Sequence, residues 1–276
     1  MSLAEPTQTT RAVARKYVRR DNTFAPRSDS ITLGPITFEH ATLRHSKKIL
    51  LDLINNPGRE VSLIGFINPH VFNLACQHND VQTFIKQCNL ICIDGIGVQI
   101  ASLVLRGQLV TRVVAEELFN ALLMDDGFKS DAVLIGVTSE ELALATEAIN
   151  HVSSSIKIVD GIDGFQEDSD YSQWLADHSQ ADLILIGAGS PRSEKIALLA
   201  QQHCQRAVIW HIGAGTIKTW ANTKRRAPAW ISRIGMQWAH RMCYEPHTRS
   251  RYLSGAVRFV KNLKTPSLDS KDGSSQ

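Results

Sequence analysis

The chain of 276 residues is predicted to adopt an α/β fold, a Rossmann-like and mostly parallel sheet with helices on both faces. Three observations support this prediction. Apolar runs of strand length recur between residues 61 and 212. Segments of helical spacing lie between these runs, and such alternation favours parallel strands. The composition, 43% hydrophobic and 21% charged, is that of a globular protein.

The elements follow one another in a regular order. Apolar and polar residues alternate around Gly34-Pro35, which predicts a small hairpin over 31–38, and a helix is expected over 41–55. The predicted strands are 61–66, 90–93, 132–136, 156–160, 182–187 and 207–212. The predicted helices between them are 70–78 continued by 81–87, 98–105, 115–124, 139–150 capped by Ser139, 171–178, and 191–204 beginning near Pro191.

The chain is divided into four parts by composition. Residues 1–30 are polar and predict a flexible N-terminal arm, whereas residues 31–215 form the α/β core. Residues 216–264 predict a basic helical appendage, with helices over 231–244 and 249–263. Residues 265–276 predict a disordered tail.

The charge of the chain is concentrated in the appendage. The net charge is only +3, yet eleven Lys or Arg lie between Lys218 and Lys264, where Glu245 is the only acid. Four of the five Trp lie at positions 210, 220, 230 and 238. Three interpretations stay open: a nucleic-acid site, a surface for an anionic membrane, and a solvated helix face. Trp interleaved with Arg beside an enzyme-like sheet favours the membrane over nucleic acid.

Several classes of protein are disfavoured by the sequence. The first thirty residues have no apolar signal core, and no apolar run is long enough to span a bilayer, so a cytoplasmic protein is expected. Five cysteines without a CxxC pair indicate free thiols rather than disulfides or a structural zinc site.

The stretch from Ile91 to Arg112 is the strongest candidate for a reactive site. An apolar strand ends at Asp94, two glycines follow at Gly95 and Gly97, and a helical pattern then begins. A carboxylate at the carboxyl end of a strand can act as a general base when burial raises its pKa. The alternative is that Asp94 caps the following helix, and spacing alone slightly favours the cap.

Two further strand ends carry Gly-x-Gly turns. The turn from Gly187 to Gly189 leads through Pro191 into the start of a helix, where backbone N–H groups could bind a phosphate. The guanidinium of Arg192 could add charged hydrogen-bond donors there. The turn from Gly213 to Gly215 follows His211. This residue could be a general acid or base, but a core histidine bonded to the backbone is the favoured interpretation. The turn at Gly187 is neither a P-loop nor a complete dinucleotide-binding fingerprint.

Four blocks of sequence follow one another between residues 31 and 263. The first is Asn68-Pro69, and the second is Asp94-Gly95-x-Gly97 followed by Arg106-Gly107 and Arg112-Val113. The third is Gly187-x-Gly189-x-Pro191-Arg192-x-Glu194-Lys195. The fourth comprises Arg226-Ala227-Pro228-x-Trp230, Gly235-x-x-Trp238, Arg241, Glu245-Pro246, Arg249, Arg251-Tyr252-Leu253 and Arg258-Phe259. In this order the four blocks resemble the WecG/TagA/CpsF glycosyltransferases, glycosyltransferase family 26.

The resemblance implies an inverting, metal-independent enzyme without a cofactor. Such an enzyme moves a hexose from a UDP-sugar, of the N-acetylmannosamine or N-acetylmannosaminuronic acid type, to a polyprenyl-diphosphate-linked sugar in surface polysaccharide biosynthesis. The departures from the family pattern described below make glucose an alternative hexose. It implies a peripheral location on the anionic cytoplasmic face of the inner membrane, with no nucleic-acid partner and with homo-oligomer formation left open.

The resemblance also implies residue roles. Asp94 is the catalytic base. The substrate-binding residues are Asn68, Gly95, Gly97, Arg112, Gly187, Gly189, Pro191, Arg192, Glu194, Gly213 and Gly215. The residues expected at the acceptor diphosphate and the membrane are Arg226, Arg241, Arg249, Arg251, Arg258, Trp230 and Trp238.

The chain departs from the family pattern at six places, and several of these positions are expected to line the sugar pocket. These positions are Phe66, Ala115, Glu117, Ser193, Gln237 and the neighbourhood of Lys218. They motivate an alternative to catalysis, a diverged member that binds a UDP-sugar or a partner without turning it over.

Overall fold

A computed structural model describes residues 30–56, 60–224, 228, 231, 235–244 and 249–265, apart from the side chains of Glu39 and Arg251. The predicted N-terminal arm and C-terminal tail lie almost entirely outside the described residues. Among the residues described, no helix combines the length and the apolar character needed to cross a membrane.

Eight strands are described. The first two, β1 and β2, pair as the predicted antiparallel hairpin, and the other six form one sheet. The strands are β1 (Ser30–Leu33), β2 (Ile36–Glu39), β3 (Ser62–Ile67), β4 (Cys88–Ile93), β5 (Ser130–Gly136), β6 (Ile156–Ile162), β7 (Leu183–Gly187) and β8 (Val208–His211). The order in the large sheet is β4-β3-β8-β7-β5-β6, and every neighbouring pair is parallel.

Eleven helices are described. They are α1 (Leu43–Asn55), α2 (Pro69–Ala75), α3 (Asn79–Gln87), α4 (Ile96–Arg106), α5 (Ala115–Leu123), α6 (Ser139–Val152), α7 (Asp168–Asp177), α8 (Arg192–His203), α9 (Ala214–Trp220), α10 (Gln237–Tyr244) and α11 (Arg249–Asn262). The predicted α/β class is therefore confirmed, and the predicted strands agree with the observed ones to within two or three residues.

The sheet separates two apolar cores. Alternate residues of one strand point to opposite faces, so Ile184 and Ile186 pack in one core and Leu183 and Leu185 in the other. One core is completed by helices α2, α3, α4, α7 and α8, and the other by α1, α5, α6 and α9. This two-sided burial explains why the strands are apolar throughout rather than alternating.

Three local predictions need correction. Thr138, not Ser139, caps α6, because its hydroxyl accepts from the Glu141 N–H (3.2 Å) and Glu141 returns the bond in a capping box. Pro191 precedes α8 instead of beginning it. The predicted boundary of the core at 215 falls inside α9, whose Ile217 belongs to the buried core.

The described part of the appendage is attached to the core through α11. The rings of Phe259 and Phe72 meet edge to face with centroids 5.0 Å apart. Asn73 on α2 donates to the Gly255 carbonyl (2.8 Å) and accepts from the Asn262 amide (3.0 Å). Helix α11 is therefore held against the core by a buried aromatic pair and two hydrogen bonds.

Candidate active site

The candidate residues gather at one edge of the sheet. The six strands of the large sheet are parallel, so their carboxyl ends lie together, and an open α/β sheet binds ligands at that edge. The first three sequence blocks follow β3, β4 and β7, and the turn at Gly213 follows β8. The β4 and β7 ends are three strand spacings apart, about 14 Å, a span suited to an extended substrate.

Asp94 stands directly after β4. Its N–H donates to the Ile67 carbonyl (2.8 Å), which keeps the β3–β4 pairing intact up to this residue. Gly95, not Asp94, is the N-cap of α4, and no side-chain cap bond is present there. The capping interpretation of Asp94 is therefore wrong, and its carboxylate is left for another role.

The surroundings of Asp94 raise its pKa to about 7. Burial is the largest cause, because it disfavours the charged carboxylate, and the carboxylates of Glu117 and Glu116 act in the same direction. Arg112 and Lys224 oppose the rise. The group is thus a carboxylate that takes and releases a proton near neutral pH, as a general base requires.

Arg112 reaches this cluster because of backbone pairing. The N–H of Val113 donates to the Ile93 carbonyl (2.8 Å), so the chain before α5 runs beside the last residue of β4. Arg112 itself is 7% exposed. A buried guanidinium beside Asp94 fits the substrate-binding role predicted for it, because it offers several donors in a rigid fork.

Asn68-Pro69 and the two glycines after Asp94 pack against each other. A Cβ on Gly97 would lie 2.7 Å from Pro69 Cγ, and one on Gly95 would lie 3.0 Å from Pro69 Cδ. Asn68 caps α2 with its Oδ1, which accepts from the N–H groups of His70 and Val71. The first two sequence blocks therefore form one structural unit, and Asn68 has a structural role beside any contact with substrate.

The turn after β7 is shaped by two glycines with different requirements. Gly189 has a positive φ of +82°, which favours glycine. At Gly187 a Cβ would lie 2.4 Å from Ile217 Cδ1, so glycine permits α9 to approach the strand. The hydroxyl of Ser193 accepts from the Ala188 N–H (3.0 Å) and holds this turn in place.

Arg192 is directed toward α7. Its guanidinium donates to the Gln166 carbonyl and lies 5.8 Å from the centre of the Tyr171 ring. Part of its hydrogen-bonding capacity is thus used within the protein, at the side of the Gly187 turn that faces away from β8.

Glu194 is fully buried, and its predicted contact with substrate stays a prediction. It accepts from the Ser190 hydroxyl (2.6 Å), and its Oε1 lies 3.6 Å from Nδ1 of His211. The ring of Phe84 meets His211 at 6.4 Å in an edge contact. Glu194 and His211 therefore form a buried polar pair. Among the described residues Nδ1 of His211 has no hydrogen-bond partner, so the backbone bond expected of a core histidine is not made at this atom.

The turn at Gly213 brings in a residue that the sequence did not single out. Gly213 has a φ of +80°, and a Cβ on Gly215 would lie 2.9 Å from Nζ of Lys224. Lys224 also acts on Asp94 electrostatically. The ammonium group therefore lies against the Gly-x-Gly turn and close enough to Asp94 to lower its pKa, and the only sequence signal for Lys224 was its membership in the basic run.

Most of the departures from the family pattern lie in packed positions. Phe66 is buried and stacks on Trp210 at 6.3 Å, and Ala115 is buried in the same core. Lys218 pairs with Glu141 at 3.2 Å. Only Glu117 among the departures acts on the pKa of Asp94. The expectation that several of these positions line a sugar pocket stays a prediction, and Phe66 itself packs in the core.

The appendage residues are only partly described. Trp238 lies 6.4 Å from Tyr252 between ring centres, Arg249 donates to the Met242 carbonyl (2.8 Å), and Arg258 contacts Gln77 (3.4 Å). Arg241 lies half-buried on α10. Arg226, Trp230 and the Arg251 side chain are outside the described residues. The role predicted for the appendage arginines at the acceptor diphosphate stays a prediction.

Within the described ranges, no group of three or more His, Cys, Asp or Glu is arranged to hold a metal ion. The described candidate site contains the carboxyl group of Asp94, the cations Arg112 and Lys224, and two glycine turns that precede helices. A metal-independent reaction remains a prediction.

Comparison with known proteins assigns the chain to a family. Residues 31–271 match the Glycosyl transferase WecG/TagA/CpsF family. An N-acetylglucosaminyldiphosphoundecaprenol N-acetyl-beta-D-mannosaminyltransferase of Bacillus subtilis is 25% identical over 74% of this chain and 82% of its own length. A protein of the same name from Staphylococcus aureus is 23% identical over 75% of this chain and 81% of its own length. The chain therefore belongs to the WecG/TagA/CpsF family of glycosyltransferases, as its four sequence blocks predicted.

Proposed function

We propose that this enzyme transfers a hexose with inversion from a UDP-sugar to a polyprenyl-diphosphate-linked sugar, with Asp94 as the base. Relatives named for transfer of N-acetylmannosamine to a lipid-diphosphate-linked N-acetylglucosamine support the acceptor class. The donor would be of the N-acetylmannosamine or N-acetylmannosaminuronic acid type, or UDP-glucose. The observation that carries the proposal is the single carboxylate at the carboxyl end of β4, with its pKa raised to about 7.

In this mechanism Asp94 removes the proton from the acceptor hydroxyl. The resulting oxygen nucleophile attacks the anomeric carbon of the donor from the side opposite to UDP, so the configuration inverts. UDP leaves with the bonding electron pair, and its diphosphate needs positive charge. Lys224 beside Gly215, Arg112 and the backbone N–H groups after Gly213 are the groups that would supply it without a metal ion.

The test is a screen of UDP-sugars against a lipid-diphosphate-linked acceptor, read by mass spectrometry, with wild type and Asp94→Asn. The wild type should form one glycosylated product, and Asp94→Asn should lose at least a hundredfold in turnover, about the contribution of a general base. Asp177→Asn, which removes an exposed carboxylate on α7, is the matched control. Full turnover by Asp94→Asn would refute the base assignment. UDP binding without turnover in the wild type would favour the diverged binding module.

We further propose peripheral binding to the anionic cytoplasmic face of the inner membrane. Helix α11 supports this, because its fourteen residues include Arg249, Arg258 and Lys261 and no acid. Replacing Arg258 and Lys261 by Gln should weaken sedimentation with anionic vesicles and leave neutral vesicles unaffected. These substitutions are preferable to truncation after Gly215, which would remove Ile217 and Phe259 from the cores.

A further inference from the structure

Helix α4, which begins two residues after Asp94, exposes an unusual number of large apolar side chains. We define the α4 surface as Ile100, Leu103, Val104, Leu105 and Leu109, all of them about half exposed or more. Val104 is 74% exposed. Contiguous apolar patches on a soluble protein are characteristic of interaction sites.

The sequence of α4 differs from that of an ordinary surface helix. Its residues, Ile-Gly-Val-Gln-Ile-Ala-Ser-Leu-Val-Leu-Arg, contain no acid and only one cation, at the C-terminal end. Helix α6 packs on the same sheet and places Glu140 and Glu147 toward solvent. Val98 and Ala101 already fill the inward face of α4. The outward apolar residues of α4 are therefore not needed for the core.

A second apolar stripe lies on α11. Leu253, Val257 and Val260 are exposed at helical spacing, so they share one side of the helix. The basic residues of α11 and Lys264 accompany this stripe. An amphipathic helix of this composition is typical of binding at the surface of an anionic bilayer.

The β1–β2 hairpin connects the two apolar surfaces. Arg106 at the end of α4 donates to the Thr32 carbonyl (2.7 Å). A Cβ on Gly34, in the turn of the same hairpin, would lie 2.9 Å from the Asn262 carbonyl at the end of α11. The C-terminal ends of α4 and α11 thus adjoin one small element, and both ends carry cations, Arg106 and Lys261.

We propose that the α4 surface is a second membrane-contacting surface, which enters the headgroup region of an anionic bilayer together with α11. This rests on the proposed function. The charge of both helices fits an anionic surface, since neither contains an acid. Helix α4 is about 16 Å long and begins two residues after Asp94, so Ile100, the first residue of the α4 surface, stands about one turn into the helix. A lipid-linked acceptor would then present its sugar to the base while its chain stays in the bilayer.

The experiment compares two charge-neutral double variants of the full chain on vesicles of anionic phospholipid. Ile100→Ser with Val104→Ser removes apolar area from α4, and Leu144→Ser with Val159→Ser removes exposed apolar area from α6 and β6. The α4 variant should bind vesicles about tenfold more weakly than the wild type. This loss should persist when salt is added, because the contribution that the variant lacks is apolar rather than electrostatic. The control variant should bind as the wild type does. Leu109→Ser, outside the helix, should show a smaller loss.

Unchanged vesicle binding by the α4 variant, with wild-type circular dichroism, would overturn the proposal. If the same variant instead lowered the oligomeric state, the α4 surface would be a contact between copies of the chain. Transfer to a water-soluble, short-chain acceptor separates the two proposals. The α4 variant should keep this turnover, whereas absence of transfer in the wild type would refute the proposed function and leave the vesicle result intact.

Discussion

Replacing Asp94 by Asn should stabilise the fold while it abolishes activity. The carboxyl group of Asp94 has a pKa raised from 3.8 to about 7, so folding makes its ionised form unfavourable. Each unit corresponds to about 1.4 kcal/mol, which gives about 4 kcal/mol for the full shift. Water reaches the half-buried side chain, and screening lowers the expected cost of the charge to about 2–4 kcal/mol. Asn has nearly the same shape and carries no charge.

The sign of the pH dependence follows from the raised pKa. Between pH 4 and 7 the unfolded chain has released the proton of Asp94 and the folded chain still holds it, so this group makes the wild type less stable as the pH rises. Above about pH 7 both states are ionised and the cost is constant. The stability difference between Asp94→Asn and wild type should therefore be small near pH 4 and largest above pH 7.

The assay is urea unfolding of both proteins at several pH values from 4 to 8, with Asp177→Asn as the control for loss of an exposed carboxylate. In parallel, kcat/KM of the wild type should rise about tenfold per pH unit below 7 and level off above it, because only the ionised group is a base. A stability difference that stays constant from pH 4 to 8 would refute the reasoning on the buried charge, whatever the activity.

Three further outcomes are expected from the neighbours of Asp94. Glu117→Gln removes a charge that raises the pKa of Asp94, so the acid limb of the kcat/KM profile should move to lower pH. Lys224→Met removes a cation that lowers this pKa, so the acid limb of the kcat/KM profile should move to higher pH. If the Glu117 and Lys224 variants moved the limb in the same direction, the charges assigned here to the surroundings of Asp94 would be contradicted. Gly97→Ala places a Cβ 2.7 Å from Pro69 Cγ and should lower the unfolding free energy by about 1–3 kcal/mol. Wild-type stability of this variant would show that the close packing of Gly97 against Pro69 is not required.

The sequence predicted the fold well because its signals are local and periodic. Apolar runs of strand length marked the strands of the large sheet, and Asp94, Gly187 and Gly213 were found because each stands where such a run ends. The carboxyl ends of parallel strands meet at one edge, so the sequence also predicted that these residues share a site. The cap of α6 was missed by one residue, since Thr138 and Ser139 are both suitable caps.

The charges around Asp94 were not predictable in the same way. Glu116, Glu117 and Lys224 are separated from Asp94 by 22 to 130 positions in the chain, and only folding brings them close enough to act on its pKa. The same holds for the burial of Glu194 beside His211, which its place in the third block did not indicate.

The sequence by itself determined the α/β class, the family and the position of the candidate base, because periodicity, turn residues and ordered motifs depend only on the order of residues along the chain. The tertiary structure alone decided that Asp94 is not a helix cap, that its pKa lies near 7, and that α9 belongs to the core. Burial and electrostatic interaction depend on which distant segments pack together, and that is fixed only when β4, β3 and β8 lie side by side in the sheet.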